Sequence, residues 1–111
     1  MTYETFQATL LAELKGHFPP DTAITVHRIL RNNQVAVEGL TILESGFNIS
    51  PTIYLREYYE DLQRGMSFPS VFQEILDTYY HYRPTEPIDL SFFKKFQNVS
   101  TRIAYKLIHY E

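Results

Sequence analysis

Apolar residues recur every four positions at the start of the chain. Phe6, Leu10, Leu14 and Phe18, with Leu11 beside them, form one helical stripe. Thr2 is placed to cap that helix, and Gly16 with the Pro19-Pro20 pair ends it. The period then changes. Ala23 to Leu30 is rich in β-branched residues and puts Ile24, Val26, Arg28 and Leu30 on one face, with Thr25, His27 and Ile29 on the other. Arg31-Asn32-Asn33-Gln34 reads as a turn, and Val35 to Leu43 returns as a second strand. Gly39 inside it signals a bulge or a close backbone approach. Ser45-Gly46 makes the next turn, and Ile49 to Leu55 is a third strand. Pro51, which has no N–H, belongs at a strand start or a sheet edge.

The helical period resumes from Arg56 to Arg64 and stops at Gly65. Ser67 caps a further helix, with Pro69 in its first turn and Phe72, Ile75, Leu76, Tyr79 and Tyr80 on its apolar face. Arg83 to Asp89, holding two prolines, is a loop, and Ser91 to Asn98 is a short helix bearing Phe92, Phe93 and Phe96. The tail fits two periods. Val99, Ile103 and Leu107 suit a helix, while Ile103, Tyr105, Leu107 and His109 suit a strand. The order is α-β-β-β-α-α followed by a last α or β element. This predicts an α+β fold: a small antiparallel sheet of three strands, four if the tail is one, packed against helices.

Three blocks carry a family resemblance: RNNQVAVEGLTI (31–42), NISPTIYLREYYEDLQRG (48–65) and DLSFFKKFQNVSTRIAYKLIHYE (89–111). Together they resemble an uncharacterised bacterial family, one of the domains of unknown function common in gut Firmicutes. SPTIYLREYYE is the most specific block. The resemblance is to the N-terminal part of longer family members, and it implies no reaction, cofactor or catalytic residue.

At 111 residues the chain is expected to form a single domain, 1–111. With no cysteine it has no disulfide, no thiolate zinc site and no thiol nucleophile. The N-terminus lacks the pattern of a secretory signal, and no apolar run reaches the roughly 20 residues that span a bilayer. A soluble, cytoplasmic protein with no membrane partner is expected. The net charge of −3 is unevenly spread. Nine acids lie between Glu38 and Asp89, whereas Lys94, Lys95, Arg102 and Lys106 form an all-basic stretch.

Candidate chemistry is sparse. His17 stands at a helix end, His27 mid-strand and His109 near the C-terminus. Asp77 and His81 have the i, i+4 spacing of two ligands on one helix face, but no HExxH or further ligand accompanies them. Glu57, Glu60 and Asp61 are interleaved with Arg56 and Arg64, the pattern of a solvated helix face. No serine has a GxSxG or SxxK context, and the four glycines form no phosphate loop. Lysines among the aromatics of 92–110 are the one argument for nucleic-acid binding, which the acidic balance disfavours.

The tyrosine excess remains. Tyr58 and Tyr59 diverge by about 100° on a helix, so at least one is expected at the surface beside Glu57, Glu60 and Asp61. These five residues form the expected partner-binding site. The function expected is a non-catalytic protein-binding domain without cofactors. In its concrete form it is a small phage- or plasmid-borne inhibitor of a basic bacterial nucleic-acid enzyme, such as a CRISPR nuclease. The alternatives are a metal-binding or enzymatic fragment built on Asp77, His81 and the acidic helix of Glu57, Glu60 and Asp61, or a nucleic-acid binder using the basic tail.

Overall fold

The computed structural model describes residues 1–31, 35–47 and 49–83, together with a strand at 103–107. Helix α1 (Tyr3–His17) is followed by strands β1 (Ala23–Arg31), β2 (Val35–Leu43) and β3 (Ile49–Tyr54). Helices α2 (Leu55–Gln63) and α3 (Phe68–Tyr82) come next, and then β4 (Ile103–Leu107). The four strands form one antiparallel sheet in the order β1-β2-β3-β4. The α+β architecture is the expected one, and the ambiguous tail resolves as a fourth strand. The turn residues 32–34, the loop after Arg83 and the helix expected at Ser91 to Asn98 lie outside the described residues.

One face of the sheet carries the core. Leu40, Ile42 and Ile53 are buried against Phe6, Leu10 and Leu14 of α1 and Val71, Ile75, Leu76 and Tyr79 of α3, with Ile24 and Val26 at the margin. Burial of these side chains is the main drive for folding. Helices α1 and α3 begin where their capping residues stand. Thr2 Oγ1 accepts from the Thr5 N–H at 3.1 Å, and Ser67 Oγ from the Ser70 N–H at 3.3 Å. Gly16 does not end α1, which continues to His17 and stops at Phe18 before the two prolines. Proline cannot extend a helix, and it holds the preceding residue extended. Left-handed glycines occur instead at Gly46 in the β2–β3 turn (φ 91°) and at Gly65 after α2 (φ 112°).

Pro51 sits third in β3, a strand flanked by both β2 and β4, so the sheet-edge placement is corrected. It is accommodated because the β2–β3 register runs only through Thr52–Tyr54. Beyond that, the Ile42 N–H finds Ser50 Oγ at 3.1 Å rather than a backbone partner.

Gly39 marks a close approach and not a bulge, because β1 and β2 pair without interruption from Ala23↔Leu43 to Arg31↔Val35. A Cβ on Gly39 would stand 2.8 Å from Thr52 Cγ2 and 3.3 Å from Ile29 Cδ1. Gly39→Ala is therefore expected to lower stability by about 1–3 kcal/mol, the usual cost of overpacking. Denaturant melts check this, and an unchanged midpoint would mean that Thr52 simply turns away.

Candidate functional site

Helix α2 does not display its tyrosines. Tyr58 and Tyr59 are both buried, at 2% and 6% exposure. The expectation that one of them faces solvent is therefore corrected. The 100° divergence is real, but α2 has neighbours on both of its flanks. Tyr59 packs on Tyr3 and Phe6 of α1, with ring centroids 5.1 and 5.6 Å away, and its hydroxyl donates to the Met1 carbonyl at 2.7 Å. Tyr58 turns the other way, and its hydroxyl meets Thr78 Oγ1 of α3 at 3.0 Å. Each ring buries its apolar body while its hydroxyl keeps a partner.

The acids of this helix are half-buried rather than fully displayed. Arg64 lies 3.9 Å from Glu60 and 3.3 Å from Asp61, and Arg56 stacks 3.9 Å over the Tyr3 ring. The expected site thus keeps Glu57, Glu60 and Asp61 near the surface but loses both tyrosines to the core. Tyr3 itself donates to Glu38 Oε2 at 3.2 Å. Burial, with Glu38 beside it, pushes its hydroxyl up to about 12.

A second cluster gathers where α1 and α3 end beside the β2–β3 turn. Glu44, just past β2, accepts from the Tyr79 hydroxyl at 2.7 Å and from Arg83 Nη1 at 2.6 Å on the same carboxylate oxygen. Burial alone would raise the Glu44 carboxyl. The bonds from Tyr79 and Arg83 win and hold it below its ordinary 4.5. Burial first, and Glu44 second, push the Tyr79 hydroxyl far above the usual tyrosine range.

The Arg83 guanidinium also lies 5.0 Å from the Phe47 ring centroid and 5.2 Å from that of Tyr80. His17 Nε2, at the end of α1, meets the Tyr80 hydroxyl at 2.9 Å. Phe18 packs edge-on against Tyr79 at 5.5 Å. Tyr80, expected on the apolar face of α3, is 43% exposed, because α3 turns Val71, Ile75, Leu76 and Tyr79 to the sheet instead.

Sequence reasoning missed this cluster. Its members lie 35 and 39 residues apart, and no local spacing links Glu44 to Tyr79 or Arg83. The available hints were a lone acid before a Ser-Gly turn and an arginine at a helix end. Elsewhere, Asp77 accepts from Gln73 Nε2 at 2.8 Å. Among the described residues no group of three His, Asp or Glu side chains converges as a metal site. Lys94, Lys95, Arg102 and His109 lie outside the described residues, and of Lys106 only the strand position is described. Among the described residues no helix is long and apolar enough to cross a membrane.

Fold and cluster together define a small α+β domain whose surface cluster is built from aromatics, an arginine and a locked carboxylate. A family model described as a family of unknown function, DUF5688, matches residues 3–111, and the chain belongs to that family. Comparison with curated proteins and with solved structures returns no match.

Proposed function

We propose that this domain is a non-catalytic protein-binding module whose contact surface centres on Tyr80. The observation that carries the reading is the exposure of that ring. Apart from Met1, Tyr80 is the one large apolar side chain among the described residues that stands substantially in water. It does so within a rigid frame formed by His17, Phe18, Tyr79 and Arg83. Tyrosine and arginine held in place in this way are the residue types that dominate binding energy at interfaces, since little conformational freedom is left to lose.

The same cluster supports the non-catalytic side of the proposal. A carboxylate held below its ordinary range by a tyrosine and an arginine is a weak general base. His17 is engaged with Tyr80 rather than with a nucleophile.

The inhibitor of a nucleic-acid enzyme is a narrower form of this proposal. Small size and the acidic balance favour it. The pairing of Glu60 and Asp61 with Arg64 counts against using α2 to mimic a phosphate backbone. The general protein-binding form is therefore the one the geometry favours.

The test compares the wild-type domain with Tyr80→Ala as baits in a bacterial lysate. The expected result is a protein retained by the wild type and lost by the variant, with thermal melts that nearly coincide. A partner retained equally by both, but lost on Glu60→Gln with Asp61→Asn, would return the interface to α2.

A further inference from the structure

The cluster beside Tyr80 contains one unsatisfied donor. Arg83 Nε is buried, and among the described residues it has no hydrogen-bond partner. Such a donor is destabilising in place, because water would satisfy it. What holds the guanidinium there is its other end. Arg83 Nη1 donates to Glu44 Oε1 at 2.6 Å, and the same oxygen accepts from the Tyr79 hydroxyl at 2.7 Å. The Phe47, Tyr80 and Tyr79 ring centroids lie 5.0, 5.2 and 5.9 Å from the guanidinium carbon.

The backbone leaves this side chain free to move. Arg83 caps α3 with an extended conformation (φ −64°, ψ 124°), and its N–H bonds back to the Tyr79 carbonyl at 2.8 Å. The side chain is 24% exposed, so water is within reach. It can swing outward without breaking a turn of helix.

Two effects of similar size are therefore opposed. A charged acceptor draws Arg83 in, and an orphaned Nε draws it out. We propose that Arg83 has two positions, docked against Phe47 and Tyr80 or swung into water, and that the charge on Glu44 selects between them. The consequence for binding rests on the reading of Tyr80 as the contact surface. Docked Arg83 packs on the Tyr80 ring and completes its frame, and swung out it leaves that ring without its cation.

The groups facing Glu44 set the direction of the response. They are Tyr79, Tyr80 and Arg83 from α3 and His17 from the end of α1. A protonated Glu44 loses its ion pair with Arg83. Docking therefore holds while Glu44 is ionised and fails as the carboxyl takes up its proton, below its ordinary 4.5.

Arginine side-chain NMR tests this without a partner, with the Arg83 Nε–Hε signal assigned by its loss in Arg83→Lys. Arg64, whose side chain is 70% exposed, is the reference at each pH. At neutral pH the Arg83 Hε is expected to exchange with water about tenfold more slowly than that of Arg64. In Glu44→Gln the difference is expected to vanish, while the core amides of Leu40 and Ile53 stay protected. Acidifying the wild type through the Glu44 range is expected to do the same, which does not depend on the variant folding. An Arg83 signal that already exchanges like Arg64 at neutral pH overturns the proposal. So does one that stays slow both in Glu44→Gln and in acid. A change confined to the range where histidine titrates, and absent from His17→Gln, also overturns it and gives the control to His17. Because no partner takes part, failure here leaves the Tyr80 interface standing, and failure of that interface leaves the two positions of Arg83 standing.

Discussion

Truncating either Tyr58 or Tyr59 to alanine is expected to destabilise the fold by about 3–5 kcal/mol, the range for removing a large buried ring. The two losses arise in different places. Tyr59→Ala opens a hole between α2 and α1, where the ring meets Tyr3 and Phe6, and leaves the Met1 carbonyl without its donor. Tyr58→Ala empties the contact between α2 and α3 and removes the Tyr58 partner of Thr78 Oγ1, which keeps its bond to the Glu74 carbonyl. For a domain of this size, whose whole stability is of order 5–15 kcal/mol, either change is severe.

Phenylalanine separates the two contributions. Tyr59→Phe keeps the ring and loses the hydroxyl, and is expected to cost about 0.5–1.5 kcal/mol. Thermal and denaturant melts on the three variants suffice. Near-wild-type stability in both alanine variants would contradict the burial of these rings and return them to the surface.

The second large effect is expected at Glu44. Glu44→Ala removes the acceptor shared by Tyr79 and Arg83, both of which remain at least partly buried. A hydrogen bond to a charged partner contributes about 1.5–3 kcal/mol, and a loss of that size is expected at neutral pH.

The same contact predicts an acid dependence of defined sign. The folded-state pKa of Glu44 lies below its ordinary 4.5, so the unfolded chain takes up the proton first as pH falls. The contribution of Glu44 is thus fully present above about 4.5 and is lost progressively below it, as pH passes through the lower folded-state value. Glu44→Gln removes this part of the dependence, so its stability should fall less steeply on acidification than that of the wild type. Parallel slopes for the two proteins would show that the carboxylate is not held as described. Tyr3 predicts the opposite flank. Its hydroxyl is raised from 10.0 to about 12, so stability declines as pH climbs through that interval.

Much of the fold was legible because it is written in local period and punctuation. The four-residue spacing of Phe6, Leu10 and Leu14 and the caps at Thr2 and Ser67 are properties of short segments. So are the alternation in β1 and β2 and the Ser-Gly turn before Phe47, and each reappears in the structure. The family membership was legible for a related reason, since the three blocks that carry it are contiguous.

The tail shows where local reading stops. Ile103 to Leu107 satisfies two periods equally, and only the open side of β3, with its register from Ile49↔Leu107 to Ile53↔Ile103, selects the strand.

The site was the least legible part. Sequence placed tyrosines and acids together on α2 and implied that at least one tyrosine was displayed beside the acids. The neighbours of that helix come from residues distant in the chain, α1 from one side and α3 from the other, and they decided that both rings are core. Conversely, Glu44, Tyr79 and Arg83 carry no shared local signal, and they meet only because α3 ends beside the β2–β3 turn. The sequence by itself determined which segments become helix and strand and which of their faces are apolar, because propensity and periodicity act over a few residues. Only the tertiary structure decided which tyrosines are buried and which carboxylate is locked. Those outcomes depend on contacts between segments that loop closure brings together from far apart in the chain.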